Sequence, residues 1–195
     1  MRLKLLVALF AGGVAFSSAA LAHEPSAAAM LSNTCNGCHG TDGHSAGPNM
    51  PNLGGVGSNY IVEQMKNFKS GERKSSIMGR LAKAYSDDDI AAMASFFSTQ
   101  KYKMAAQPAA DPAKVARGKE IHKERCEKCH EEGGKVGVDE GILAGQWKEY
   151  LEITFKEFHA KNRPMPKKMA AKIEGENALS EADIDALVHF YTSQK

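Results

Sequence analysis

Cysteine is scarce in this chain of 195 residues, and none is spare. Cys35, Cys38, Cys126 and Cys129 form two Cys-x-x-Cys pairs, each followed at once by a histidine, His39 and His130. No segment alternates apolar and polar residues as a half-buried strand does, which excludes the βαβ setting of a thioredoxin-type redox pair. No Gly-x-Gly-x-x-Gly follows a strand, so the chain brings no dinucleotide or flavin fingerprint of its own. Beyond the first 22 residues no apolar run approaches the twenty or so residues of a bilayer span. A surplus of charge is also missing, as the count below shows.

Residues 1–22 read as a cleavable secretory signal. They open with Arg2 and Lys4, continue through an apolar stretch from Leu5 to Phe16 and end in Ala20-Leu21-Ala22. The mature chain is expected to begin at His23, in the bacterial periplasm. Arg2 and Lys4 leave with that segment, so 23 basic residues face 23 acidic ones. Such a balance excludes a basic surface for nucleic acid or anionic lipid.

Cys-Asn-Gly-Cys-His at 35–39 and Cys-Glu-Lys-Cys-His at 126–130 have the spacing of c-type haem attachment. Two thiols about one helical turn apart can each form a thioether with one porphyrin, while the adjacent histidine reaches the iron. A zinc site would need four ligands within one compact module, and these pairs stand 91 residues apart. Two covalent haem c groups are therefore expected, anchored at Cys35 and Cys38 and at Cys126 and Cys129, with His39 and His130 on the irons.

The halves repeat one another. Leu53-Gly54-Gly55 and the run Tyr60 to Phe68 recur, shifted by 90, as Leu143-Ala144-Gly145 and Tyr150 to Phe158. Ser86 to Lys101 recurs as Ser180 to Lys195, shifted by 94, which puts a short insertion near Gly175-Glu176-Asn177. Each half reads as all-α. A first helix runs into the haem motif, from Glu24 to Thr34 or from Asp111-Pro112 to Arg125. A middle helix starts near Tyr60 or Tyr150, and a last helix is capped by Ser86 or Ser180 with an acid three residues on. The expected division is 1–22 signal, 23–104 first domain, 105–110 linker and 111–195 second domain.

The sixth iron ligand decides between electron transfer and an open, reactive iron. In the first half Met30, Met65 and Met93 lie at core spacings and Met50 follows the haem motif too closely, which leaves Met78 before the last helix. In the second half, aligning Arg73 with Arg163 places Met78 opposite Lys168 or, with one inserted residue, Met169; Ala82 lies four residues after Met78 as Ile173 does after Met169, which favours Met169. Met165, beside Pro166, is the alternative. His23, His44, His122, His159 and His189 are expected to be surface or partly packed imidazoles, with His44 and His159 in loops that could approach a haem edge. Trp147 is expected to pack against the second haem or its loop.

Several runs carry a family resemblance: Phe68-Lys69-Ser70-Gly71-Glu72, Ser76-Ile77-Met78-Gly79-Arg80, Ile142-Leu143-Ala144-Gly145-Gln146-Trp147, and Arg163-Pro164-Met165 with Lys167-Lys168-Met169. With them the chain resembles the dihaem cytochrome subunit of flavocytochrome c sulfide dehydrogenase. That resemblance implies two tandem small cytochrome c domains and a periplasmic electron-transfer subunit. It also implies an FAD-containing sulfide dehydrogenase subunit as partner, a soluble acceptor downstream, and no catalysis by this chain alone. A free-standing dihaem carrier to a terminal oxidase is the other reading. The resemblance further implies that each proximal histidine gives its free N–H to a carbonyl near a proline. Gly47-Pro48 suits this in the first half, and the second half has no proline between His130 and Pro164.

Overall fold

A computed structural model describes residues 26–194 apart from 138, and the expected signal at 1–22 lies outside the described residues. Two helical units follow one another. The first holds α1 (Ala27–Asn33), α2 (Ser58–Ser70), α3 (Met78–Leu81) and α4 (Asp87–Ser98). The second holds α5 (Pro112–Arg125), α6 (Lys148–His159), α7 (Lys167–Ile173) and α8 (Glu181–Ser193). Among the described residues the one isolated β-bridge joins Glu131 to Val136, and no strand forms.

Local chemistry starts these helices where the sequence indicates. The Ser86 hydroxyl accepts from Asp89 N–H while the Asp89 carboxylate accepts from Ser86 N–H, and Ser180 and Asp183 repeat the arrangement. Asp111 caps α5 by accepting from Ala113 and Lys114 N–H, with Pro112 in the first turn, where its missing donor costs nothing. The apolar face of α4, Ile90, Met93, Ala94 and Phe97, is buried with Val56 and Ile61. In the second unit Leu187, Val188, Phe190 and Tyr191 of α8 join Leu151, Phe158, Ile173 and Leu179. Each large apolar side chain so buried contributes roughly 1.5–3 kcal/mol. Met30, expected at a core spacing, is instead 56% exposed, because α1 is short and turns that side outward.

In each unit the helix that runs into the haem motif packs on the last helix, α1 on α4 and α5 on α8. Gly118 lets the second pair approach: a Cβ built there would lie 2.1 Å from the Ala186 carbonyl oxygen. Since that obstacle is backbone, Gly118→Ala forces the helices apart. It is expected to destabilise the second unit by about 1–3 kcal/mol, read as a lower unfolding midpoint of the holoprotein.

The segment that follows α4 has no regular structure but is not a free tether. Tyr102 donates to the Ala144 carbonyl at 2.9 Å, Ala105 N–H to Gly145 at 2.7 Å, and the Gln107 amide bonds both Gln146 and Lys148 backbone. The two units also meet directly. Asn52 N–H donates to Gln146 Oε1 at 3.0 Å and Gln146 Nε2 returns a bond to the Asn52 carbonyl at 2.9 Å, both buried.

Candidate functional site

The haem motifs sit where each first helix ends and a single tight turn begins. Cys35 caps the turn Asn36–His39, and Cys126 ends α5. All four cysteines are unpaired, and no group of three or more His, Cys, Asp or Glu side chains is gathered among the described residues. The disulfide and zinc alternatives thus find no geometry there. Burial raises the Cys35 thiol and the Cys126 thiol above the ordinary range, the opposite of what an activated redox thiolate needs. Neutral, partly buried sulfurs suit thioether links.

His39 is 7% exposed, and its Nδ1 lies 2.9 Å from the Pro51 carbonyl. That contact fixes Nδ1 as the donor and leaves Nε2 free for an iron. The anchoring carbonyl is thus Pro51, and the Gly47-Pro48 expectation is corrected: Pro48 lies too early in the loop, and the chain returns to the imidazole only at Pro51. Met50, next to Pro51, accordingly belongs to the histidine side. In the second unit the repeat places Gly141 opposite Pro51. The Gly141 backbone favours protonation of His130, yet it stands outside hydrogen-bond geometry, for His130 Nδ1 is buried without a partner. Burial foremost takes His130 down to about 4, so it is a neutral imidazole at physiological pH. The carbonyl anchor seen at His39 is thus not closed at His130, whose Nδ1 stays unpartnered.

Met78 opens α3, half-buried, with its N–H held by the Ser75 hydroxyl at 3.1 Å. Met165 and Met169 are both half-buried and both pack against the second core alongside Cys126, Leu143 and Phe155. Ala82 is fully buried and Ile173 is 5% exposed, so the apolar position four residues after Met78 is matched four residues after Met169. Trp147 is buried at the start of α6, with its indole N–H unpartnered.

The other histidines divide. His44 bonds the Lys101 carbonyl, and His159 closes α6 with its ring on the Phe155 carbonyl, in a helix and not in a loop. His189 Nδ1 accepts from Asp111 N–H. His122 contradicts the expectation of a surface or partly packed ring: it is 2% exposed, wedged between Tyr191 and Glu127. Its neighbour in the repeat is Leu31, the one sequence signal that the position is interior.

Between the units two arginines mirror each other at the repeat offset of 90. Arg73 donates to Gln64 at 2.9 Å in its own unit and to Glu157 at 3.0 Å in the other, with its guanidinium 4.4 Å from the Phe68 ring centre. Arg163 donates to Thr154 in its own unit and to the Tyr60 hydroxyl in the other, 4.9 Å above the Phe158 ring. Burial pushes the Tyr150 hydroxyl up, but the Arg163 and Arg73 cations outweigh it and draw the group down to about 8. Nothing in the sequence beyond the shared offset announced this cluster.

Comparisons with known proteins agree with the duplicated reading. Residues 25–101 match the family described as "Cytochrome c", and residues 113–190 match "Cytochrome C oxidase, cbb3-type, subunit III". Cytochrome c4 of Pseudomonas aeruginosa is 32% identical over 173 residues, spanning 82% of this chain and 83% of that protein. The cytochrome subunit of sulfide dehydrogenase of Chlorobaculum tepidum is 38% identical over 96 residues, 46% of this chain and 86% of that protein. The crystal structure of reduced recombinant cytochrome c4 from Pseudomonas stutzeri superposes with a TM-score of 0.73 at 26% identity, covering 88% of this chain and all of the other. The resemblance to the sulfide dehydrogenase subunit is therefore partial, and likeness along most of the chain is to cytochrome c4.

Proposed function

The chain belongs to the dihaem cytochrome c family that includes cytochrome c4, and on that premise we propose that it is a periplasmic electron relay fed by an FAD-containing sulfide dehydrogenase. It is a dihaem electron-transfer cytochrome carrying two covalent haem c groups. Each haem supplies a one-electron change between ferric and ferrous iron. Cys35 and Cys38, and Cys126 and Cys129, tether them. His39, oriented by the Pro51 carbonyl, and His130 would hold the irons through ring nitrogens, and Met78 and Met169 would hold them through their sulfurs. Thioether ligation closes the iron to small molecules and favours the ferrous state, which suits a relay and not a peroxidase. The Asn52–Gln146 amide pair and the two arginines hold the units in one arrangement, so that little reorganises as an electron passes.

The observation that carries the partner is the 38% identity to a sulfide dehydrogenase cytochrome subunit, joined with the runs Ile142 to Trp147 and Arg163 to Met169. Likeness to cytochrome c4 over 82% of the chain favours the second reading, a free-standing carrier to a terminal oxidase. Copurification decides between them. A complex with a flavoprotein that reduces both haems on adding sulfide supports the first, and a chain that remains alone and is not reduced by such a partner supports the second.

Met169→Ala is expected to abolish the near-infrared His/Met band of the second haem and to leave that iron high-spin or ligated by another group. Met165→Ala is expected to keep the band. Loss of the band in Met165→Ala with retention in Met169→Ala would reverse the assignment.

A further inference from the structure

One buried polar chain belongs to the second unit alone. His122 Nδ1 lies 3.0 Å from the Tyr191 hydroxyl, and its Nε2 lies 2.6 Å from a carboxylate oxygen of Glu127. Glu127 is the first residue between Cys126 and Cys129, and its carboxylate also accepts from the backbone N–H of Glu132 at 2.9 Å and Gly133 at 3.4 Å. Those two residues follow His130 and have positive φ, 52° and 70°. The hydrogen bonds thus run from α8, through α5, to both the haem-attachment turn and the loop behind the proximal histidine.

At the corresponding places the first unit has Leu31, Asn36 and Phe97. It packs a similar core with none of these charges, so the fold does not require them. A buried imidazole costs stability unless both nitrogens are bonded. Here both are, and the carboxylate that accepts from Nε2 sets the tautomer: Nε2 carries the proton, and in the neutral ring Nδ1 accepts from the Tyr191 hydroxyl. Burial raises Glu127, but hydrogen bonds from His122 and from the Gly133 backbone outweigh it, and the group stays ionised. Its side chain is 43% exposed; without His122 it is free to swing into water.

We propose that His122 is a positioning residue for the second haem, clamping the Glu127 carboxylate against the attachment turn so that a fixed anion lowers that haem's midpoint potential. A negative charge beside the group stabilises the more positive ferric state. The first haem has the neutral Asn36 at that place and takes no such contribution. The inference rests on attachment of the second haem at Cys126 and Cys129.

The test uses the holoprotein with both haems, in variants Glu127→Gln, His122→Leu and Tyr191→Phe. Midpoints are read by spectroelectrochemical titration, and paramagnetically shifted haem-methyl resonances separate the two haems. Glu127→Gln and His122→Leu are expected to raise the midpoint of the second haem and leave the first in place, with Tyr191→Phe giving a smaller shift of the same sign. Glu127 is partly exposed, so its amide variant folds even if His122→Leu does not. An unchanged second midpoint in Glu127→Gln, or an equal shift of both haems, overturns the proposal. Fewer than two haems on each parent chain overturns instead the attachment on which it rests.

Discussion

Replacing Cys126 and Cys129 together with alanine is expected to halve the covalent haem content and to unfold the second unit while the first keeps its haem. Described residues of that unit, from Asp111 to Gln194, bury one main apolar cluster, built on Leu151, Phe158, Ile173, Leu179, Leu187, Val188, Phe190 and Tyr191. Units of this size bury a smaller fraction of their unfolded surface than larger domains do and are marginal alone. Cys126, Leu143, Phe155, Met165 and Met169 pack half-buried against the edge of that cluster, where a haem tethered at Cys126 and Cys129 would cover this lining. Losing the group leaves this lining to water, and a thioether-free haem is held only by its axial ligands. Haem stoichiometry by pyridine haemochrome absorbance, with far-ultraviolet dichroism for helix content, measures both effects. Undiminished covalent haem in the double variant would refute attachment at these two sulfurs.

Arg73→Ala is expected to cost about 3–5 kcal/mol, the range for breaking a buried ion pair by removing one partner. The Arg73 side chain is 7% exposed and Glu157 is 23% exposed, so the carboxylate left behind cannot recover its full hydration. Gln64 loses its donor and the Phe68 ring loses the cation over its face in the same step. Because Glu157 belongs to the other unit, the loss falls on the junction. Denaturant unfolding followed both by haem absorbance and by helix signal is expected to separate into two transitions in the variant. A cycle with Glu157→Ala measures the coupling of the pair, against the contact that Arg163 keeps with the same carboxylate oxygen at 3.9 Å. Lys69→Ala, which removes a partner of the exposed Asp87, is expected to leave stability close to the parent. A comparable loss in both variants would mean that burial of the Arg73 pair is not what matters.

Much of this architecture could be read from residue spacing. Helix starts at Ser86, Ser180 and Asp111 follow from side chains that bond their own backbone within three residues, an interaction independent of the rest of the chain. The apolar faces of α4 and α8 follow from helical period, and the duplication from matching runs. Errors arose where a residue's surroundings come from distant segments. Met30 has core spacing yet stays exposed among the described residues. His122 looks like a surface residue on a charged helix until Tyr191, 69 positions on, closes over it. Pro51 and not Pro48 meets His39, since the loop path decides which carbonyl arrives.

The chain's own order of residues therefore determined two haem motifs, two all-α units and their shared ancestry, because covalent attachment, capping and helical period depend on near neighbours. Tertiary structure alone decided which carbonyl orients His39, how Arg73 and Arg163 lock the junction, and that a Tyr–His–Glu chain sets the second unit apart from the first. Those features depend on the contacts His39–Pro51, His122–Tyr191, Arg73–Glu157 and Arg163–Tyr60, which are 12, 69, 84 and 103 positions apart. Such contacts exist only after hydrophobic burial has brought the helices together, and burial responds to the pattern of apolar faces without recording which polar groups will meet between them.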